Sequence, residues 1–151
     1  MKFHDLFLAM AQLVSQKSKD RSTKVGAVIV GKDNEVLSVG YNGFPRCVDD
    51  DVEHRHGRPQ KYEFTEHAER NAIYNAARQG IRLKGSTMYL NWEPYPCPDC
   101  ARAVIQSGIT KVVGTQHTFT GKGQDWQTRF DYTRKMFEEA GVEVEIVFVE
   151  E

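Results

Sequence analysis

The chain has 151 residues, 40% of them hydrophobic and 27% charged, with a formal net charge of −1. That length suits a single domain over residues 1–151 with one core, and the balanced charge argues against a surface devoted to gripping a nucleic-acid backbone. No stretch approaches the roughly 20 apolar residues needed to cross a bilayer, and MKFHDLFLAMAQLV carries Asp5 within its apolar run and lacks a small-residue cleavage site, so a cytoplasmic protein with no membrane contact is expected.

Phe3, Leu6, Phe7, Met10, Leu13 and Val14 recur at helical spacing, which predicts a first helix over 3–14 that buries this stripe. The β-branched runs VGAVIV (25–30) and EVLSVG (35–40), joined by GKDN, predict an antiparallel hairpin. Residues 41–64 are rich in Gly, Pro, Asp, Arg and His and have no period; a connection this long predicts a substrate or regulatory loop. Thr65 is expected to cap a helix through HAERNAIYNAARQ, stopped by Gly80, with Ala72, Ile73, Ala76 and Ala77 as its buried face.

A strand TMYLN (87–91), the PCPDC turn, a helix over 98–107 ended by Gly108 and a strand KVVGT (111–115) come next. A helix around 125–139 and a strand VEVEIVFV (142–149) complete the order α-β-β-α-β-α-β-α-β. Such alternation implies parallel pairing after the opening hairpin and right-handed crossovers. The expected fold is α/β, a three-layer α/β/α sandwich with a central five-stranded mixed sheet.

Of three cysteines, Cys97 and Cys100 lie at i and i+3 in PCPDC, a spacing that suits metal binding at a helix start better than a disulfide framework; Cys47 is left over. Zinc takes imidazole and thiolate ligands, and a catalytic site supplies three and leaves the fourth position open. His67, Cys97 and Cys100 meet that count. His67 and Glu69 are two apart and would diverge by about 200° in mid-helix. They can therefore cooperate only at a helix start, where His67 binds metal and Glu69 reaches the water beside it without being a ligand. Both helix starts follow strands or loops, the usual place for an α/β site. A structural zinc knuckle or a redox pair remains open for CxxC taken alone, with Cys47, His54 or His56 as the nearest further ligands.

H-x-E with a distant P-C-x-x-C is identified as the signature of the zinc nucleobase deaminases. SKDRSTKVGAVIV (18–30), GYNGFPRCVDD (40–50), HAERNAIYNAAR (67–78) and PCPDCARAVIQSGITKVV (96–113) further resemble the dCMP deaminase family, over residues 5–115. The resemblance implies a cytidine deaminase-like fold and hydrolysis of dCMP to dUMP and ammonia for thymidylate synthesis. Glu69 would move the protons beside a zinc held by His67, Cys97 and Cys100. It also implies a homohexamer activated by dCTP with Mg2+ and inhibited by dTTP.

Carried over by motif, Asn42 would bind the sugar, or serve as turn chemistry, and the Ala68 amide would meet the pyrimidine carbonyl. Lys19, Arg21, Lys24 and Arg46 are candidates for the phosphate, or solvated charges. Gly43, Arg46, Asp49, Asp50 and Arg78 would serve effector binding or subunit contacts, with Asp49, Asp50 and Asp51 as a Mg2+ site or a solvated acidic loop. Arg78 reads equally as a helix-end arginine. The chain departs from the family pattern at Arg21, where proline is common, at Cys47, where glycine is common, and in the longer segment Trp92–Tyr95. A second, structural zinc would draw on Cys47, His54 and His56, although Asp20 stands where a cysteine ligand is expected. The rival functions are a nucleic-acid deaminase of the tRNA adenosine type, opposed by Asp99 and the net charge, and an idle nucleotide-binding zinc protein, opposed by Glu69.

Overall fold

The computed structural model describes residues 1–115 and 124–148, and of residues 124–127 the backbone alone. Its elements are α1 (Phe3–Ser15), β1 (Gly26–Val30), β2 (Val36–Tyr41), α2 (Gln60–Phe64), α3 (Ala68–Gln79), β3 (Thr87–Leu90), α4 (Pro98–Gln106), β4 (Lys111–Thr115), α5 (Gln124–Ala140) and β5 (Glu143–Val147). The strands form one sheet in the order β2-β1-β3-β4-β5. β1 runs antiparallel to both β2 and β3, whereas β3, β4 and β5 are mutually parallel. Parallel pairing thus begins at β3, because the connection through α3 passes over β1 and returns the chain on its far side.

Alternation along each strand sorts side chains between two faces. Ala27, Ile29, Met88, Leu90 and Val112 point to one, against Ala68, Ala72 and Ala76 of α3, Ala101 and Val104 of α4 and Phe137 of α5. Val28, Val30, Tyr89 and Val113 point to the other, against Phe7, Leu8 and Ala11 of α1. The result is the expected α/β/α sandwich around a five-stranded mixed sheet. No helix among the described residues is long and apolar enough to cross a membrane.

Helix α1 buries only part of the stripe that periodicity singled out: Phe7 is in the core and Met10 and Val14 pack against it. Phe7, Leu8, Ala11 and Ser15 are buried, while Phe3, Leu6 and Leu13 are 55%, 38% and 73% exposed. The reason is close packing: a Cβ on Gly26 would lie 2.0 Å from the Ala11 carbonyl oxygen, so the small residues of α1 seat the helix on β1. On the opposite face a Cβ on Gly40 would lie 2.3 Å from the Ala72 backbone nitrogen, and α3 sits equally close to β2. Gly26→Ala should therefore destabilise the fold by about 1–3 kcal/mol through overpacking against rigid backbone. Each 1 kcal/mol lowers Tm by roughly 2–4 °C in a chain of this size. Thermal denaturation of the variant beside the wild type measures it.

Three local expectations are corrected. The long connection contains a 3-10 turn at Glu53–Arg55 and the short helix α2. His67, not Thr65, is the N-cap residue of α3, because Thr65 still belongs to the end of α2, where its N–H meets the Lys61 carbonyl. Ala77 is exposed, since the Ala68–Ala72–Ala76 stripe already spans the contact. Gly80 does end α3, in the left-handed conformation at φ 69°.

Candidate metal centre and active site

The two motifs meet because each begins a helix on the same face of the sheet. Residues 41–64 leave β2 and return beside their own starting point: Gly43 N–H donates to the Glu66 carbonyl at 3.0 Å, and Glu66 N–H to the Gly43 carbonyl at 2.8 Å. The Glu66 carboxylate then accepts the His67 N–H at 2.9 Å and Arg70 Nε at 2.6 Å. This fixes His67 in extended backbone geometry as the N-cap of α3, with φ −79° and ψ 152°. Cys97 occupies the equivalent N-cap of α4, with φ −61° and ψ 159° and Pro98 opening the first turn, where a proline costs no hydrogen bond. The fully buried Thr133 of α5 donates its hydroxyl to the Pro96 carbonyl at 2.7 Å and holds the approach to Cys97.

His67 Nδ1 lies 3.4 Å from Cys97 Sγ and 3.3 Å from Cys100 Sγ. Tetrahedral zinc, with bonds of about 2.3 Å to sulfur and 2.0–2.1 Å to nitrogen, sets such atoms about 3.5 Å apart. The donor chemistry agrees. Cys97 and Cys100 are buried thiols with the buried Glu69 carboxyl beside them, and three such groups can be anionic together only around a cation. The hydrogen bond between the sulfurs holds Cys97 down to about 4 against burial, with His67 adding to the effect. The same bond, burial and the Glu69 charge push Cys100 up. His67 is raised by its hydrogen bond to Cys97, against burial. The group fits zinc.

Glu69, one residue into α3 beyond Ala68, is only 7% exposed. Burial pushes its carboxyl above the usual range, opposed in part by His67. It lines a cavity of about 710 Å³ together with His67, Cys97, Ala68 and Asn42, a volume in the range of small-molecule sites. Val25, Leu90, Trp92 and Tyr95 supply apolar walls, and Arg58, Lys61, Arg70 and Arg129 supply cations. Asn42 is buried, with Oδ1 accepting the Val25 N–H at 2.9 Å and Nδ2 donating to the Thr23 carbonyl at 2.8 Å. It thus ties down residues 23–25 as well as facing the cavity, and its second amide N–H is left over for a ligand.

Several residues expected at this site lie elsewhere. Lys19 and Arg21 line an adjoining cavity of about 250 Å³ with Gly43, Phe44, Asp50 and His56, which shares Asp20, Lys61 and Thr65 with the first. Lys19 pairs with Asp50 at 3.0 Å, and Arg21 holds Glu53 through two bonds of 2.6 and 2.8 Å. Lys24 is exposed and lines neither cavity. The physical reason is Asp20, which accepts the Ser22 and Thr23 N–H groups and the Lys61 ammonium at 2.8, 3.0 and 3.0 Å. It folds this segment so that Lys61 reaches the cavity where Lys19, Arg21 and Lys24 do not.

Arg46 donates to Asn75 on the surface at 2.7 Å, and Arg78 is exposed near the end of α3, whose last carbonyls are met by Gly80 N–H. Carboxylate oxygens of Asp49, Asp50 and Asp51 lie within 4.8 Å of one another, with Asp50 held by Lys19 and Asp49 accepting the Asp51 N–H. Cys47 is exposed at φ 68°, while the His56 ring stacks on Phe44. Among the described residues, Cys47, His54 and His56 form no metal-ligand group and add no fourth ligand to His67, Cys97 and Cys100. His56 is instead engaged by the Phe44 ring and the Asp50 carbonyl.

Arg58, Lys61, Arg129 and Thr133 were not picked out from the sequence. The unusual length of the 41–64 connection was the available signal for the first two; nothing local marks the others.

A three-layer α/β/α sandwich with His-x-Glu and Cys-x-x-Cys converging at two helix starts defines a protein of the zinc nucleobase deaminase class. The family model for the cytidine and deoxycytidylate deaminase zinc-binding region matches residues 1–116, and the chain belongs to that family. The deaminase from the luxG 3′ region of Aliivibrio fischeri, itself uncharacterised, is 42% identical over 143 residues, 95% of this chain and 92% of that one. The probable deoxycytidylate deaminase of Caenorhabditis elegans is 44% identical over 115 residues, and the match spans 74% of this chain but only 56% of the nematode protein. The crystal structure of the dCMP deaminase of cyanophage S-TIM5 in complex with dCMP and dUMP superposes with TM-score 0.74 at 29% identity, over 97% and 99% of the two chains.

Proposed function

We propose that this chain hydrolyses dCMP to dUMP and ammonia. The observation that carries the reading is Glu69, buried at the floor of an open cavity beside the converged His67, Cys97 and Cys100. Family membership and the likeness to the dCMP-bound cyanophage enzyme support the substrate. A bound zinc would supply Lewis acidity, lowering the pKa of a water from about 15.7 toward about 7.

The rest falls to side chains and backbone. Water adds at C4 of the pyrimidine, N3 gains a proton, and the bond from C4 to the amine breaks with a further proton delivered to nitrogen. Glu69 takes the proton from water, hands it to N3, and passes the next to the departing ammonia. Burial raises this carboxyl above its ordinary range, which favours its holding a proton between the two transfers. Ala68, at the first helical position, has an N–H without an intrahelical acceptor, directed to the pyrimidine carbonyl. The remaining Asn42 N–H meets the sugar.

The reading extends to the family's physiology: dUMP supplied for thymidylate synthesis in the cytoplasm, activation by dCTP with Mg2+, inhibition by dTTP, and assembly as a hexamer. The smaller cavity, with its cations and stacked Phe44 and His56, supports an effector nucleotide. The apolar side chains that α1 leaves in solvent support self-association.

Ammonia release from dCMP, deoxycytidine and a cytosine-containing oligonucleotide tests the central claim. dCMP is expected to react much the fastest. Equal rates on dCMP and deoxycytidine would remove the nucleotide reading, and preference for the oligonucleotide would favour a nucleic-acid deaminase.

A further inference from the structure

We propose that Arg58 is the residue that reads the substrate 5′-phosphate and separates nucleotide from nucleoside; this rests on the reading of the cavity as a dCMP site. In a 5′-nucleotide the phosphate lies at the opposite end from C4 of the base. With C4 set against Glu69 on the cavity floor, the phosphate must emerge at the mouth. Arg58 and Tyr62 line that cavity, and both are exposed, which places them at its opening.

Four cations line the cavity, and their existing partners discriminate among them. Lys61 is held by Asp20 at 3.0 Å with only 15% and 7% of the two side chains exposed. Arg70 is held by Glu66 at 2.6 Å, and Arg129 lies 3.8 Å from Asp99. Arg58 has no carboxylate within ion-pairing distance among the described residues. Its guanidinium lies over the Tyr62 ring, 5.7 Å from the centroid. That contact engages the flat face of the group and leaves its edge of N–H donors for a planar, two-pronged grip on phosphate oxygens. A dianion there gains a cation whose charge no neighbour has already offset, whereas binding Lys61 or Arg70 would require breaking a pair.

The test is calorimetric binding of dUMP and deoxyuridine to the full-length zinc-loaded protein, with Arg58→Gln, Arg58→Lys and Arg129→Gln beside the wild type, and kcat/KM for dCMP and deoxycytidine measured on the same samples. The wild type should bind dUMP more tightly than deoxyuridine. Arg58→Gln should cut that preference roughly ten- to hundredfold, the size of one lost charge-assisted contact, and Arg58→Lys should restore part of it. Arg129→Gln should change it far less. The proposal is overturned if the wild type shows no preference for dUMP, if Arg58→Gln keeps it, or if Arg129→Gln removes it instead. Binding decides this even if dCMP is not the deaminated substrate, so a failure of the reaction assay and a failure of the Arg58 assignment read differently.

Discussion

Glu69→Gln is expected to keep its zinc and lose deamination by a factor of at least about 10²–10⁴, the usual contribution of a positioned general acid–base. The substitution preserves size and hydrogen-bonding shape while removing the only function the geometry leaves to this side chain. It should not harm the fold, because Glu69 is buried and burial already disfavours its charge; a neutral amide carries no such penalty. Ammonia release and zinc content by atomic emission, read on one preparation, separate the two roles. Zinc lost with activity would make Glu69 a ligand, and activity retained would remove it from proton transfer altogether.

A second large effect is expected from Cys100→Ala. Cys100 is fully buried, with its sulfur 3.3 Å from His67 Nδ1, and a three-ligand site that loses a thiolate has no replacement among the described residues. Zinc should fall from about one per chain toward zero, and turnover with it. Stability should fall too, since a ligand bound only to the folded chain at a hundred times its Kd adds about 2.7 kcal/mol. For a domain of this length that amounts to roughly 5–10 °C in Tm. Cys47→Ala is the control: that cysteine is exposed and outside the group, so its zinc content should match the wild type. Loss of zinc in the control, or full zinc in Cys100→Ala, would show that the ligand set is wrong.

The strands were legible because the β-branched runs at 26–30 and 111–115 and the apolar stretch at 87–90 advertise buried sheet, and the metal group because its chemistry demands particular residue types at a particular spacing. Helix α1 shows where periodicity stops. Its period predicts a helix, but Phe3, Leu6 and Leu13 lost the core to Ala11 and Ser15 once Gly26 permitted closer approach. The phosphate candidates show a different limit. Lys19, Arg21 and Lys24 are neighbours of a site motif in sequence, yet where Asp20 gathers the amides of Ser22 and Thr23 none of the three lines the main cavity.

The sequence by itself singled out His67, Glu69, Cys97 and Cys100, from what zinc and proton transfer require, and the structure brings the four together at two helix starts. Tertiary structure alone decided the cavity around them. Arg58 and Lys61 reach it because the connection after β2 folds back and is clipped at Gly43 and Glu66, and Arg129 because α5 packs on α4. These are contacts between segments far apart in the chain, set by which faces pack most closely, and no local pattern encodes them.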